Sequence, residues 1–354
     1  MLSDRDPAIG PAERPFGRSM LVRLAAGAVL VAAIAGLTYW LAGDADSEKA
    51  PMTSVEMALP AGRPSAEEAA IPSGGRAAEL DKAAQGADPA LIERSASGPL
   101  PMVADDGRKA WQVYAGSFDR SDTRPRIAIV IEGLGLATPE TQAAIDRLPA
   151  AVTLAFNPYA TDLPDWLQKA RAAHHEVVLA VPMEPVDYPR EDPGPQTLLT
   201  ALTPRQNLDR LEWTLGRAAG YVGLTNLMGS RFIAAPTELR PILEVLKGRG
   251  LLFLETRAAN QSAVAALAQE LALPQAVNDR DLDGNLSPAG IDQALVELEP
   301  IARRNTIAVA TGSPYPLTID RVLAWAGSLE GKGLVLAPLS AVVAPQGEPK
   351  APSP

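Results

Sequence analysis

From about Arg126 to Val343 the chain alternates short β-branched or Leu-rich runs with stretches whose apolar residues recur at helical spacing. The apolar runs are Ile127 to Ile131, Val152 to Phe156, Val177 to Val181, Tyr221 to Leu224, Leu251 to Leu254, a weak one at Ala276 to Val277, Ile307 to Ala310, and Leu334 to Leu336. Each is short and nearly unbroken by polar residues, as strands covered on both faces are. Between them lie helix-period segments: Pro139 to Leu148, Leu163 to Ala173, Pro204 to Ala219, Pro236 to Arg249, Gln261 to Leu271, Pro288 to Arg304 and Pro316 to Leu329. Thr or Ser directly precedes Pro at Thr138-Pro139, Thr203-Pro204 and Ser287-Pro288, a signal for a helix start. Strand and helix alternate with a repeat of roughly 25 to 30 residues, which predicts parallel strands under an outer layer of helices. The predicted fold is α/β, a distorted (β/α) barrel of about seven to eight parallel strands. Periodicity alone leaves an open, doubly wound sheet as the alternative.

The first part of the chain reads differently. Leu24 to Ala42 carries no charge and is long enough, at about 19 residues, to cross a bilayer as one helix. Arg14, Arg18 and Arg23 precede it and Asp44, Asp46 and Glu48 follow, so the positive-inside rule puts residues 1–23 in the cytoplasm and all later residues outside it. Tyr39 and Trp40 suit the outer interfacial belt. A cleaved signal peptide is the competing reading; the apolar run exceeds a typical signal core and no small-x-small site follows it, which favours an uncleaved anchor. Residues 43–123, rich in Ala, Pro, Ser, Gly and acids and without sustained period, read as a disordered tether, and 344–354 as a disordered tail. Within the tether a patch from Trp111 to Tyr114, with Phe118, is apolar enough to dock on the following domain, 124–343, although an edge strand of that domain would look the same.

Composition narrows the chemistry. A net charge of −10 and no Lys/Arg cluster argue against nucleic acid as a partner. The chain has no cysteine, which excludes disulfides, thiol catalysis and Cys-ligated metals. Its two histidines, His174 and His175, cannot form a three-His metal site. In a (β/α) barrel the chemistry sits at the C-terminal strand ends. Those ends read Glu132-Gly133-Leu134-Gly135, Asn157-Pro158-Tyr159, Pro182-Met183-Glu184-Pro185, Asn226-Leu227-Met228-Gly229-Ser230, Glu255-Thr256, Asp279 to Asp283, and Thr311-Gly312-Ser313-Pro314.

The series IAIVIEGLG, HHEVVLAVPMEP, VGLTNLMGSRF, RGLLFLET and IAVATGSPYP, in this order and spacing, resembles the divergent polysaccharide deacetylase family, relatives of NodB-type carbohydrate esterases. The resemblance covers roughly Arg124 to Val343 and implies a distorted (β/α) barrel. Members that look active carry Asp-Asp after the first strand, a His in Asn-His-Met-Gly-Ser, an Asp in Phe-Leu-Asp-Ser and a His in Gly-His-Pro. Deacetylation of an N-acetyl sugar uses such a set to hold a divalent metal that activates water, with a carboxylate base and an acid for the amine. This chain has Glu132-Gly133, Asn226-Leu227-Met228-Gly229-Ser230, Phe253-Leu254-Glu255-Thr256 and Gly312-Ser313-Pro314 at those places. Gly133, Leu227 and Ser313 are poor ligands, so no transition-metal site and no cofactor is expected. A site of Glu132 and Glu255 with Asn226 would suit a hard divalent ion better than zinc.

Glu132 and Glu255 are the candidate catalytic pair, because paired carboxylates can serve hydrolysis when one stays protonated. Candidate ligand-binding residues are Tyr159, Glu184, Asn226, Met228, Gly229, Ser230, Ser313 and Tyr315. Tyr159, Tyr188 and Tyr315 are the candidate stacking platforms for a sugar. Trp166, Trp213 and Trp325 fall in helices, and His175 precedes the third strand, so packing is their expected role. The proline-stiffened loop Asp187 to Pro195 is a candidate binding loop. Together these observations predict a single-pass inner-membrane protein with a periplasmic, deacetylase-like barrel. Its expected role is non-catalytic, binding or scaffolding envelope polysaccharide or peptidoglycan. An active deacetylase or other hydrolase with a non-standard carboxylate site, and a protein-interaction module of envelope assembly, are the alternatives.

Overall fold

The apolar runs form strands and the helix-period segments form helices, in a computed structural model that describes residues 81–256 and 261–343. The membrane span predicted over 24–42, the tether before residue 81 and the tail 344–354 lie outside the described residues. Among those described, no helix is long and apolar enough to cross a membrane. The chain runs through β1 (Ile92–Ser95), β2 (Gly98–Pro101), α1 (Ala110–Val113), β3 (Arg126–Leu134), α2 (Thr138–Arg147), β4 (Thr153–Phe156), α3 (Leu163–Ala172) and β5 (Val177–Met183). It continues with α4 (Pro204–Leu215), β6 (Gly223–Met228), α5 (Pro236–Gly248), β7 (Leu252–Glu255), α6 (Val264–Leu271) and β8 (Gln275–Val277). Last come β9 (Arg280–Asp281), α7 (Pro288–Asn305), β10 (Ile307–Gly312), α8 (Pro316–Ala326) and β11 (Val335–Leu336).

The main sheet is parallel, in the order β8-β7-β6-β5-β4-β3-β10-β9, with β11 added to the start of β3. Its two ends are consecutive pieces of one short segment. The Asn278 amide donates to Glu255 O at 2.8 Å and the Asp279 amide to Val309 O at 2.8 Å, so residues 275–281 pass from β7 to β10. The sheet therefore curls back on itself as a distorted barrel and not as the open sheet that periodicity leaves as an alternative.

Alternate strand residues separate two apolar compartments. Ile127, Ile129, Ile131, Leu154, Leu179, Leu224 and Phe253 face the helices in the large outer core. Ala128, Val130, Ala155, Val178, Leu252, Leu254 and Val309 face the smaller interior. Two of the helix starts are capped as the sequence predicts. The Gln206 amide donates to Thr203 Oγ1 at 3.3 Å while the Thr203 amide donates to Gln206 Oε1 at 3.0 Å, a reciprocal box ahead of Pro204. Ser287 Oγ accepts from the Gly290 amide at 3.1 Å. Thr138 is instead the first residue of α2, whose cap, Ala137, makes no side-chain bond. Thr203→Ala is expected to lower unfolding stability by about 1 kcal/mol, read from denaturant midpoints.

Residues 89–113, where the composition predicts a tether, already form a hairpin and a short helix. The β1–β2 hairpin lies against the end of α4 so closely that a Cβ on Gly98 would stand 2.1 Å from Gly216 O. Leu100 joins the outer core, and Trp111 enters the barrel's N-terminal floor with Leu339, Val342 and Val343. Few apolar residues carry this packing, and they are large and irregularly spaced, which is why no period marks them. Thr153 and Glu176 point inward at the same floor. Glu176 is buried and accepts from the Gly116 amide at 3.0 Å, the Ser340 amide at 2.9 Å and Thr153 Oγ1 at 3.2 Å. One carboxyl group thus ties the N-terminal arm and the C-terminal segment to β4 and β5. His175, also buried, places its ring nitrogens 2.9 Å from Val152 O and 3.1 Å from Ile145 O, joining α2 to the start of β4.

Candidate functional site

The mouth at the C-terminal strand ends is built by the same alternation that fills the interior. Ala128 and Val130 point inward on β3, so Glu132 is the next inward residue and stands at the mouth, half-buried. Thr225 on β6 donates to Glu132 Oε1 at 3.4 Å. Burial pushes the Glu132 carboxyl up to about 8; the charges of Asp281 and Asp283 push the same way, against hydrogen bonds from Thr225 and Thr311. Asp283, half-buried, accepts from the Ser313 amide at 2.6 Å, Thr318 Oγ1 at 3.0 Å and Ser313 Oγ at 3.4 Å. Burial also raises its carboxyl, opposed by the bonds from Ser313 and Thr318 and reinforced by Asp281. The centre of the mouth is therefore a carboxyl and hydroxyl cluster: Glu132, Asp281, Asp283, Thr225, Thr311 and Ser313.

Glu255 does not join this cluster. Leu252 and Leu254 face the interior and Phe253 the helices, so alternation puts Glu255 on the helix side of β7, buried, opposite in sense to Glu132. Asn226, buried on β6, holds the neighbouring strand end: its Oδ1 accepts from the Thr256 amide at 3.0 Å, and its Nδ2 donates to Thr256 Oγ1 at 2.8 Å and Met228 O at 2.6 Å. Leu227, half-buried, shares the inward sense of Thr225, so an isobutyl group stands where the family pattern has an imidazole. Met228 is exposed, with φ +58, and Gly229 follows at φ +95, where a Cβ would stand 2.7 Å from Met183 Cβ. Ser230 Oγ accepts from the Val186 amide at 2.9 Å.

Glu184 is buried and accepts from the Thr200 amide at 2.6 Å and Thr200 Oγ1 at 2.7 Å, with Arg231 at 3.6 Å. It pins the chain that follows β5. Tyr159 is half-buried, its ring 5.3 Å from that of Trp213; its hydroxyl accepts from the Gln196 amide at 2.9 Å, and the ring lies against Gly194. It anchors the proline-rich loop. Tyr188 is half-buried, and Tyr315, ahead of α8, is exposed. The structure thus gathers Glu132 and Ser313 at one centre, spreads Met228 and Tyr315 on the rim, and uses Glu184, Asn226, Gly229, Ser230 and Tyr159 in holding the loops. Of the centre's other members, Asp281, Asp283 and Thr311 stand at strand ends read from the sequence without being chosen as site residues, and Thr225 is missed altogether. The Asp-x-Asp spacing after the sixth strand is the signal that could have found two of them.

The donor set does not fit the metal that the family pattern implies. Gly133 offers no side chain and sits at φ +76, Leu227 offers a hydrocarbon, and Ser313 is bonded to Asp283. Among the described residues no three His, Cys, Asp or Glu side chains are grouped to hold a metal ion.

A parallel barrel with a carboxyl-lined mouth and a plugged floor places the molecule among the α/β barrel proteins. Residues 129–343 match the model of the divergent polysaccharide deacetylase family, and the chain belongs to that family. A crystal structure of an uncharacterized protein from Agrobacterium tumefaciens C58 is similar at 37% identity and a TM-score of 0.67, over 69% of this chain and 99% of that one. An uncharacterized protein of Haemophilus influenzae is 27% identical over 200 residues, 56% of this chain and 70% of the relative. The uncharacterized protein YibQ of Escherichia coli is 27% identical over 212 residues, 56% of this chain and 61% of the relative.

Proposed function

We propose that this protein is a membrane-anchored, non-catalytic member of its family, held in the inner membrane through residues 24–42, whose periplasmic barrel binds or scaffolds envelope carbohydrate at its mouth. One observation carries the reading: the mouth presents Glu132 with hydroxyl partners on β6 and β10 where the family pattern has a metal-binding set. A protonated carboxyl beside hydroxyl groups offers both donors and acceptors, and Asp281 and Asp283 add acceptors, a mixture that suits a polyhydroxyl ligand. No step of hydrolysis is assigned to these residues: the expected partner Glu255 lies on the helix side of β7, and Asp283, which does stand in the Glu132 cluster, is held by Ser313 and Thr318. A second reading, a protein-interaction module of envelope assembly, is favoured by aliphatic side chains exposed around the mouth.

The test uses the full chain in detergent micelles with N-acetylglucosamine oligomers and sedimented peptidoglycan. Binding without acetate release in Zn²⁺, Mg²⁺ or Ca²⁺ is the expected result. Acetate release that disappears in Glu132→Gln would make the protein a hydrolase with an altered site. Anchoring is checked by removing residues 1–43, which is expected to move the protein from the membrane to the soluble fraction.

A further inference from the structure

Eight large hydrophobic side chains are exposed among the described residues, and five of them, Leu136, Val186, Met228, Leu286 and Tyr315, lie at the mouth. They come from the ends of β3, β5, β6, β9 and β10, so they ring the opening and do not follow the stripe of one helix. A single exposed aliphatic residue is ordinary; five on one rim concentrate apolar surface where packing of the fold does not use it. Met228 adds an independent sign. It is 41% exposed at φ +58, a conformation easier for glycine or asparagine, and so holds a long, adaptable apolar side chain out in solvent at some cost in backbone energy.

Among the described residues inside the rim the unpaired charge has one sign. Asp281 and Asp283 form no ion pair among the described residues, and Glu132 beside them is protonated and adds no charge, while the nearby Arg231 and Arg280 are engaged by Glu184 and Glu297. We propose that the mouth docks a polypeptide segment of a partner protein in which a Lys or Arg lies between aliphatic residues. The aliphatic side chains would lie on the rim and the cation against Asp281 and Asp283, with the Glu132 carboxyl as a neutral acceptor beside them. The inference rests on the second reading above, the interaction module, and names the chemistry of its partner. Aliphatic side chains make poor platforms for sugar rings, and among the described residues only Tyr315 offers an exposed ring on this rim. An anionic lipid surface or a nucleic acid would be repelled by the same carboxyl groups.

The test pans a phage-displayed library of random dodecapeptides on the full chain in detergent micelles. The tightest synthetic peptide is then titrated, by fluorescence anisotropy, against wild type, Val186→Asp/Met228→Asp and Asp281→Asn/Asp283→Asn. Selected sequences are expected to carry Lys or Arg flanked by Leu, Ile or Val, and each double variant is expected to weaken binding about tenfold or more. Added salt should weaken wild type more than Asp281→Asn/Asp283→Asn. Val186, Met228 and Asp281 are exposed and Asp283 is half-buried, so circular dichroism and melting are read on each variant, and unchanged curves separate lost contact from lost fold. No enrichment, enrichment without basic residues, or unchanged affinity in both variants would overturn the proposal. If N-acetylglucosamine oligomers bind and no peptide is selected, this inference fails while the carbohydrate reading stands. If neither binds, both readings of the mouth fail.

Discussion

Unfolding stability is expected to fall as pH rises from about 4.5 to about 8, and Glu132→Gln is expected to remove most of that slope. The sign follows from proton counting. Folding raises the Glu132 carboxyl from 4.5 to about 8, so between those values the folded chain holds a proton that the unfolded chain has released. Stability from this group is complete below pH 4.5 and is lost as pH climbs through 8. The full shift corresponds to at most about 5 kcal/mol, and relaxation of a half-buried site will reduce it. Glutamine keeps the shape without the titration, so the variant should match wild type near pH 5 and exceed it near pH 9. Asp283, raised in the same direction, leaves a smaller slope in the variant. Urea midpoints across this range read the effect directly. Parallel curves for the two proteins would show that Glu132 is solvated and that the mouth is wetter than its burial implies.

Trp111→Ala is expected to destabilise the domain by about 3–5 kcal/mol, the range for removing a large buried aromatic side chain. Trp111 is 5% exposed, packs with the interior residues at the floor, and its amide donates to Gly250 O at 3.1 Å. In a domain of this size the loss corresponds to a fall in melting temperature of roughly 6–20 °C. The same substitution in a tether would leave melting unchanged, so one calorimetric scan decides whether residues before 124 belong to the fold.

Strands and helices were legible because each buried strand is an unbroken apolar run and the helices carry period and, at Thr203 and Ser287, caps. Closure was not. It depends on residues 275–281, where Gln275, Asn278 and Asp279 interrupt the apolar pattern and the pairing is completed by backbone groups from two distant strands. The pairing of Glu132 with Glu255 illustrates a deeper limit. When both faces of a strand are apolar, alternation separates two sets of residues without revealing which set faces inward. Glu132 and Glu255 end their strands alike in sequence, yet their neighbours belong to different compartments. Tyr159 shows the same limit at a loop, since a tyrosine after a strand reads as a platform until Trp213, Gly194 and Gln196 close around it. The Asp281 and Asp283 contribution was present as a spacing, but nothing local says that Ser313, some thirty residues on, would receive it.

The Glu176 bonds at the floor also bear on how such a chain can change over time. The contacts of Gly116, Thr153 and Ser340 with that carboxyl, and the seating of Trp111, lie at the end of the barrel opposite the loops that carry Gly133, Leu227 and Ser313. Substitutions at one end therefore break no bond at the other. A lineage can exchange groups such as those at positions 133, 227 and 313 while the bonds of the floor stay in place, so ligand preference is free to drift on a fold that does not.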